Sequence, residues 1–575
     1  MEPLDETSSL LAEQDNRLER TVSAIERSYT EHNLSLPKLP IITSLWLGSF
    51  LSSIDSTIVA NIMNGVAEEF QESNKKQWIA TSYLLTNTAF QPLYGKLSDI
   101  AGRQFAILTA HFFFGLGCLL TCFAQNVTQF AIARAICGIG GGGINAMSSI
   151  TTSDICTTRE RGLYQGYANI VFGTGQILGG PIGGIFLDSI GWRPLFAVQV
   201  PLIMICSYMI TANVNIKLVH VPPRNERFTW KNLSRIDIFG STSLVVTISG
   251  ILFLTSTNMN KLFLAIVTIT SFCLFIWVET SYAKERIIPF ELLKGPFGLS
   301  SIATVFTSFI VFGDIFRSPI YIQLVQNISV TKSGLYLLFP SMATAVGSIV
   351  AGHILRNTKL NMAHCASIIN FCGMILQFGG LIVEYITIGH VAPSLSSKEI
   401  VSTMINKSTF EMKSESYIWR VIFISAGVCV TFGYSLLLVA TLVSIVFTVE
   451  KSQQGTMTGI FYLWRSIGNV LGASLTLVVY ENTLSKLLWN YMFGKDSDNT
   501  GYKFTKDQYK KIISDSAVLR ASGFPKQTLK ELLDVYRSAF LFSFYPNIAL
   551  AVCGIAILWC LVRIYNRVTK TAETV

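Results

Sequence analysis

GKLSDIAGRQ, Gly95 to Gln104, stands between two long apolar stretches and decides how the rest of the chain is read. A hydrophobic run ends, the backbone turns at glycine, and a second run begins. Gly95 and Gly102 permit a tight turn where a side chain would clash. Asp99 and Arg103 are placed to pair with each other or with nearby helix ends. This is the pattern of a short charged loop at a membrane surface. If it is one, the flanking runs must cross the bilayer.

Composition agrees. Of 575 residues, half are hydrophobic and 14% are charged, against about a quarter charged in a soluble domain. Mean hydropathy is +0.47. Apolar runs of about 20 residues, each enough to span a bilayer, recur almost end to end. The spans are expected at 41–62, 78–98, 106–124, 129–150, 163–187, 195–213, 237–256, 262–282, 299–323, 333–355, 363–386, 420–447, 456–480 and 539–563. Lipid offers no hydrogen bonds to bare backbone, so all fourteen are expected to be helices. Residues 1–40 are polar and do not read as a cleaved leader.

Lysine and arginine in the short loops orient the chain. With the N-terminus in the cytosol, the cytosolic loops carry 15 basic residues and the short loops opposite carry 5. That places both termini in the cytosol and accounts for the net charge of +9 without nucleic acid. The eleven cysteines fall in spans or near the cytosolic side, with neither disulfide nor zinc spacing. No nucleophile–base or metal constellation is expected, so the chain does not read as an enzyme, and no cofactor is expected.

Six spans, then two, then six is the natural division. The expected parts are a cytosolic tail at 1–40, a six-helix bundle at 41–213, linkers with two inserted spans at 214–298, a second bundle at 299–563 containing a far-side loop at 481–538, and a cytosolic tail at 564–575. Paired six-helix halves with binding near mid-membrane are a recurrent transporter plan.

Further motifs run in order through the first half: IDSTIVANIMNGVAEEF (Ile54–Phe70), QWIATSYLLTNTAFQPLYGKLSD (Gln77–Asp99), ARAICGIGGGG (Ala133–Gly143), GTGQILGGPIGG (Gly173–Gly184) and GWRPLFAVQVP (Gly191–Pro201). The second half adds RSPIYIQ (Arg317–Gln323), SGLYLLFP (Ser333–Pro340) and GTMTGIFYLWRSIGNVLGASL (Gly455–Leu475). Together with Gly95–Gln104 these resemble the major facilitator superfamily, in its fourteen-span drug:proton antiporter branch, and within it the fungal vacuolar basic amino acid transporters. Ile100 and Gln104 depart from that pattern where the family often carries a basic residue, as do Phe172 and Gln176 at two glycine positions. The resemblance implies an all-α membrane protein of the major facilitator fold that imports lysine, histidine and arginine into the vacuole by proton antiport. Its partners would be small cationic amino acids, protons and the bilayer. A plasma-membrane multidrug:proton antiporter would share nearly every motif, and a non-transporting nutrient receptor could keep the fold.

Asp55 is the sharpest candidate. It lies near position 15 of span one, where a carboxylate costs about 3 kcal/mol to insert. It either takes up protons or cationic cargo, or forms a fixed pair with Arg134. Arg134, with Gly138 four residues on, resembles the family's span-four arginine, which the resemblance associates with proton transfer. Asp314 sits at a nearly matching depth in span nine, with Arg317 three residues on and able to neutralise it. Asn61, Tyr83, Asn87, Gln91, Gln165, Asn169 and Gln176 are amides and a phenol in or beside spans, so they line a cavity or bridge helices.

The glycine run 138–143 contains GxGxxG inside an apolar span, so it reads as close helix packing and not as a nucleotide loop. Gly180, Pro181 and Gly184 belong to a bendable, closely packed span five that the resemblance ties to conformational change. Gly95, Asp99, Gly102 and Arg103 read as a latch, with Asp99 meeting the N-terminus of span thirteen near Gly455. In the N-terminal tail, Glu6, Leu10 and Leu11 form an acidic dileucine pattern for a coat adaptor on the route to the vacuole. Asn406 is the expected glycan acceptor.

Overall fold

A computed structural model describes residues 25, 27–72, 77–219, 221–222, 227, 229, 237–256, 260–282, 295–328, 330–358, 360–391, 408–448, 454–494, 504–514, 519 and 524–573. Helices account for nearly all of them. In chain order they are α1 (Lys38–Glu69), α2 (Gln77–Ala101), α3 (Arg103–Cys122), α4 (Val127–Ile155), α5 (Thr158–Ser189), α6 (Arg193–Ala197), α7 (Gln199–Asn213), α8 (Ile238–Ser256) and α9 (Lys261–Trp277). A π-helical turn, Val278–Tyr282, prolongs α9. There follow α10 (Pro296–Leu324), α11 (Val330–Asn357), α12 (Met362–His390), α13 (Ser408–Thr448), α14 (Gln454–Phe493), α15 (Lys506–Ser514), α16 (Lys526–Phe542) and α17 (Tyr545–Glu573).

Among the described residues, ten helical stretches are long and apolar enough to cross a membrane, fewer than the fourteen spans expected. The other four expected spans fall in helices α2, α5, α8 and α14. Three of these helices carry polar side chains or glycine. Helix α2 carries Asn87, Gln91, Lys96 and Asp99; α5 opens on Arg159, Glu160 and Arg161 and is rich in glycine; α14 carries Arg465, Asn469 and Glu481. Helix α8 runs over 19 mostly apolar residues, Ile238–Ser256. The expected loop at 481–538 also starts as helix, since α14 runs on to Phe493, and α16 occupies its end.

The chain forms two compact units: Met1–Ile251 with Asn260–Phe290 and Ile445–Leu463, and Leu252–Met259 with Glu291–Ser444 and Trp464–Val575. In the first, α4 packs between α2 and α3 while α1 packs on α5. The glycine run makes this close approach possible. A Cβ at Gly138 would collide with Thr86 Oγ1 and the Tyr83 carbonyl, one at Gly142 with the Asn87 carbonyl, and one at Gly140 with the backbone of Phe114. In the second unit α17 packs on α12 and α10.

Helix ends are fixed by local chemistry. Asn126 caps α4 by accepting from the Gln129 N–H, and Thr157 and Glu160 close a capping box on α5. Glu160 also pairs with Lys38 at 2.8 Å, tying the start of α1 to the start of α5. The Lys38 hydrogen bond holds the Glu160 carboxyl below its usual range. At the other end of α1, Glu69 accepts from Trp192 Nε1 and Arg193 Nη1, each at 2.6 Å. Partial burial raises the Glu69 pKa, but these two donors outweigh it and leave it lowered.

Candidate functional site

Asp55 is buried in α1, with none of its surface exposed, and Arg134 of α4 lies against it. Arg134 Nη1 donates to both carboxylate oxygens, at 2.8 and 2.7 Å. Gln199 Nε2 of α7 lies 3.5 Å from Asp55 Oδ1, and the Cys137 thiol lies 3.6 Å from Oδ2. The Tyr83 ring stacks under the guanidinium, its centroid 4.5 Å from Cζ. Arg134 Nε and Nη2 have no hydrogen-bond partner among the described residues. One anion and one cation thus compensate each other, with two donors left over on the cation.

A polar stripe leads away from this pair along one face of α2. Tyr83, Asn87 and Gln91 are four residues apart and so stack along the helix. Gln91 Nε2 donates to Asn87 Oδ1 at 3.1 Å, and Asn87 Nδ2 to the Tyr83 hydroxyl at 3.2 Å. The Tyr83 hydroxyl meets Ser52 Oγ of α1 at 3.2 Å, and Asn145 Nδ2 reaches the same Ser52 oxygen at 3.3 Å. Gln165 is buried and bonds Ser149 Oγ at 3.0 Å and the Tyr462 hydroxyl at 3.5 Å. Asn169 and Gln176 lie on α5 and are half-buried. The side chain of Asn61 lies outside the described residues, as do those of Pro181 and the surroundings of Gly180 and Gly184.

The segment Gly95–Gln104 is the end of α2, a one-residue break and the start of α3. Gly102 makes the break with φ +92°, a conformation that costs glycine little. Arg103 is buried and donates to Asp99 Oδ1 at 2.6 Å, Ser98 Oγ at 2.7 Å and Asp154 Oδ2 at 2.7 Å. Asp99 Oδ2 accepts from the Thr456 backbone N–H at 3.1 Å and from its hydroxyl at 2.8 Å, at the first turn of α14. A carboxylate capping a helix N-terminus is favoured by both hydrogen bonding and the helix dipole. Gly459, one turn on, sits against α2, where a Cβ would come within 3.1 Å of Pro92 Cα.

In the second unit Asp314 Oδ1 accepts from Arg317 Nη2 at 2.6 Å and from Ser318 Oγ at 3.0 Å. Helix α12 brings Glu384 to the same guanidinium, its Oε2 3.5 Å from Arg317 Nη2. Sequence reading did not single out Glu384, Gln199, Cys137 or Asp154. Glu6, Leu10, Leu11 and Asn406 lie outside the described residues.

Buried acid–arginine pairs on packed helices long and apolar enough to cross a membrane are the features of a membrane transporter. The sequence profile of the Major Facilitator Superfamily matches residues 45–473, and the chain belongs to that family. Vacuolar basic amino acid transporter 1 of Saccharomyces cerevisiae is 64% identical over 98% of each chain. Multidrug resistance protein fnx1 of Schizosaccharomyces pombe is 31% identical over 94% of each. Among solved structures, the human organic anion transporter MFSD10 superposes with a TM-score of 0.52 at 11% identity, covering 91% of this chain and 99% of that one; the likeness is one of fold.

Proposed function

We propose that this chain is a secondary active transporter that imports the basic amino acids lysine, histidine and arginine into the vacuole in exchange for protons. The observation that carries the cargo and the membrane is the 64% identity, over 98% of both chains, to a vacuolar basic amino acid transporter. Proton coupling is supported by acids held where bare charge is costly: Asp55 beside Arg134, and Asp314 beside Arg317. Tyr83, Asn87 and Gln91, with Asn61 and Asn169, complete the proposed site.

The proposed architecture has fourteen spans as two six-helix bundles, 41–213 and 299–563, around an inserted pair in 214–298, with both termini cytosolic. Asp99 and Arg103 are its latch: the Asp99–Thr456 bonds close one state and part in another. Gly180, Pro181 and Gly184 shape the bending of α5. Glu6, Leu10 and Leu11 address the protein through a coat adaptor, and Asn406 carries a glycan. Exchanging one proton for one monovalent cation moves no net charge, so the pH difference alone drives it, at about 1.4 kcal/mol or a tenfold ratio per pH unit.

A second reading, multidrug:proton antiport at the plasma membrane, is favoured by the 31% identity to a multidrug resistance protein over 94% of both chains. Radiolabelled lysine uptake into isolated vacuoles bearing the chain separates the two. Uptake that a protonophore abolishes is expected. Uptake indifferent to the protonophore, or none above vacuoles lacking the chain, refutes the proposal.

A further inference from the structure

The two buried charge clusters differ in their balance. At Asp55 one carboxylate faces one guanidinium. At Arg317 two carboxylates share one guanidinium: Asp314 Oδ1 at 2.6 Å and Glu384 Oε2 at 3.5 Å from the same Nη2. Glu384 and Arg317 are each 1% exposed and Asp314 is 6% exposed, so water screens little of the repulsion between the two acids.

No further cation redresses the balance among the described residues. The other face of the Arg317 guanidinium is covered by the Phe544 ring, whose centroid lies 3.3 Å from Cζ. From α13, Gly427 backs onto Glu384, where a Cβ would stand 3.2 Å from Oε1, and the titratable group facing it from that helix is Cys429, itself no cation. On α16, Arg537 is directed to the Val391 carbonyl and to Asp534.

The hydrogen bonding leads to the same point. Glu384 and Asp314 converge on the same Arg317 Nη2, and two ionised carboxylates have no hydrogen to share with each other. Glu384 Oε2 finds no hydrogen-bond donor among the described residues, and neither Nε nor Nη1 of Arg317 finds an acceptor. A single proton on the acid pair supplies the missing donor and cancels the surplus negative charge.

We propose that Glu384 and Asp314 hold one exchangeable proton between them against Arg317, and that this is the proton exchanged for cargo. The role in exchange rests on the antiport reading above; the shared proton does not. The balance closes simply. With the proton bound, two acids, one guanidinium and one proton sum to neutrality. Release of the proton to one compartment leaves one negative charge, which the positive charge of a basic amino acid replaces. Departure of the cargo lets a proton return from the other compartment. No covalent bond other than O–H is made or broken.

Infrared titration of the purified protein in lipid nanodiscs tests the proton without any cargo. A protonated-carboxyl C=O band is expected to persist at neutral pH and to vanish in Glu384→Gln. Absence of that band from the unsubstituted protein, or its survival unchanged in Glu384→Gln, overturns the proposal. Should Glu384→Gln not fold, Glu384→Asp keeps a carboxyl and is expected to shift the band; an unmoved band is equally fatal.

Reconstituted vesicles test the coupling. Glu384→Gln removes the charge that cargo replaces and is expected to lose at least tenfold of uptake driven by a pH difference and of lysine–lysine counterflow alike, and Glu384→Asp to recover part of both. Undiminished pH-driven uptake in Glu384→Gln overturns the role in exchange. If the unsubstituted protein moves no lysine in either mode, the cargo reading fails, and the infrared band still decides the shared proton.

Discussion

Removing Arg134 alone should damage the protein more than removing Arg134 and Asp55 together. The pair is fully buried, with one nitrogen bonded to both carboxylate oxygens at 2.7–2.8 Å. Charge centres about 4 Å apart attract by about 4 kcal/mol at an effective dielectric constant near 20. Leaving one member of a buried pair uncompensated typically costs about 3–5 kcal/mol. Arg134→Gln strands the Asp55 carboxylate, with only Gln199 and Cys137 beside it. Asp55→Asn strands the guanidinium over the Tyr83 ring. Each single variant should therefore lose about 3–5 kcal/mol of stability in equilibrium denaturation in bicelles. The double variant, which buries two amides and no charge, should lose no more than either single variant, a coupling of at least about 3 kcal/mol. It should nevertheless be inactive in vesicle uptake, because Asp55 and Arg134 belong to the proposed transport site. Strictly additive losses would refute the claim that these side chains compensate each other. A double variant with normal uptake would make the pair purely structural.

Asp99→Asn keeps an oxygen for Thr456 but loses the charge assistance, a difference of about 1–2 kcal/mol, so a cysteine introduced near the start of α14 should label about fivefold or more faster; an unchanged rate would deny the latch. Gly142→Val would drive a side chain into the Asn87 carbonyl and should abolish stable packing of α4 on α2, read as lost monodispersity after purification; normal behaviour would contradict the close approach. Glu69, held below its usual carboxylate range, contributes stability that is present above its unfolded pKa of about 4.3 and is lost as pH falls through its lower folded value. The stability gap between the unsubstituted protein and Glu69→Gln should therefore be constant from neutral pH to about 5 and close only in stronger acid, and a gap that closes near neutrality would be inconsistent with the Trp192 and Arg193 bonds. Thr157→Ala should cost about 1 kcal/mol through the lost cap of α5.

Much of this was legible in the sequence, for local reasons. Gly95–Gln104 gives its turn away because only glycine takes the φ of Gly102 cheaply and because charge interrupts two apolar runs. Arg317 is three residues from Asp314, so helical geometry alone brings them together. The Asp55–Arg134 contact joins residues 79 apart, and was accessible because each is a charge in an apolar run at similar depth. Glu384 obeys the same rule but sits near the end of its apolar run, where a charge is ordinarily reached by water; α12 in fact extends to His390 and buries it. Gln199 and Cys137 carry no such signal, since an amide or thiol in a membrane helix is more often there for packing.

The measurement that bears most directly on the account is lysine uptake driven by an imposed pH difference in vesicles containing the purified protein, compared with the Asp55→Asn variant at equal abundance. Uptake in the unsubstituted protein that rises with the pH difference, collapses with a protonophore and is missing from Asp55→Asn is the predicted result. Uptake that ignores the pH difference, or that Asp55→Asn supports in full, would contradict it.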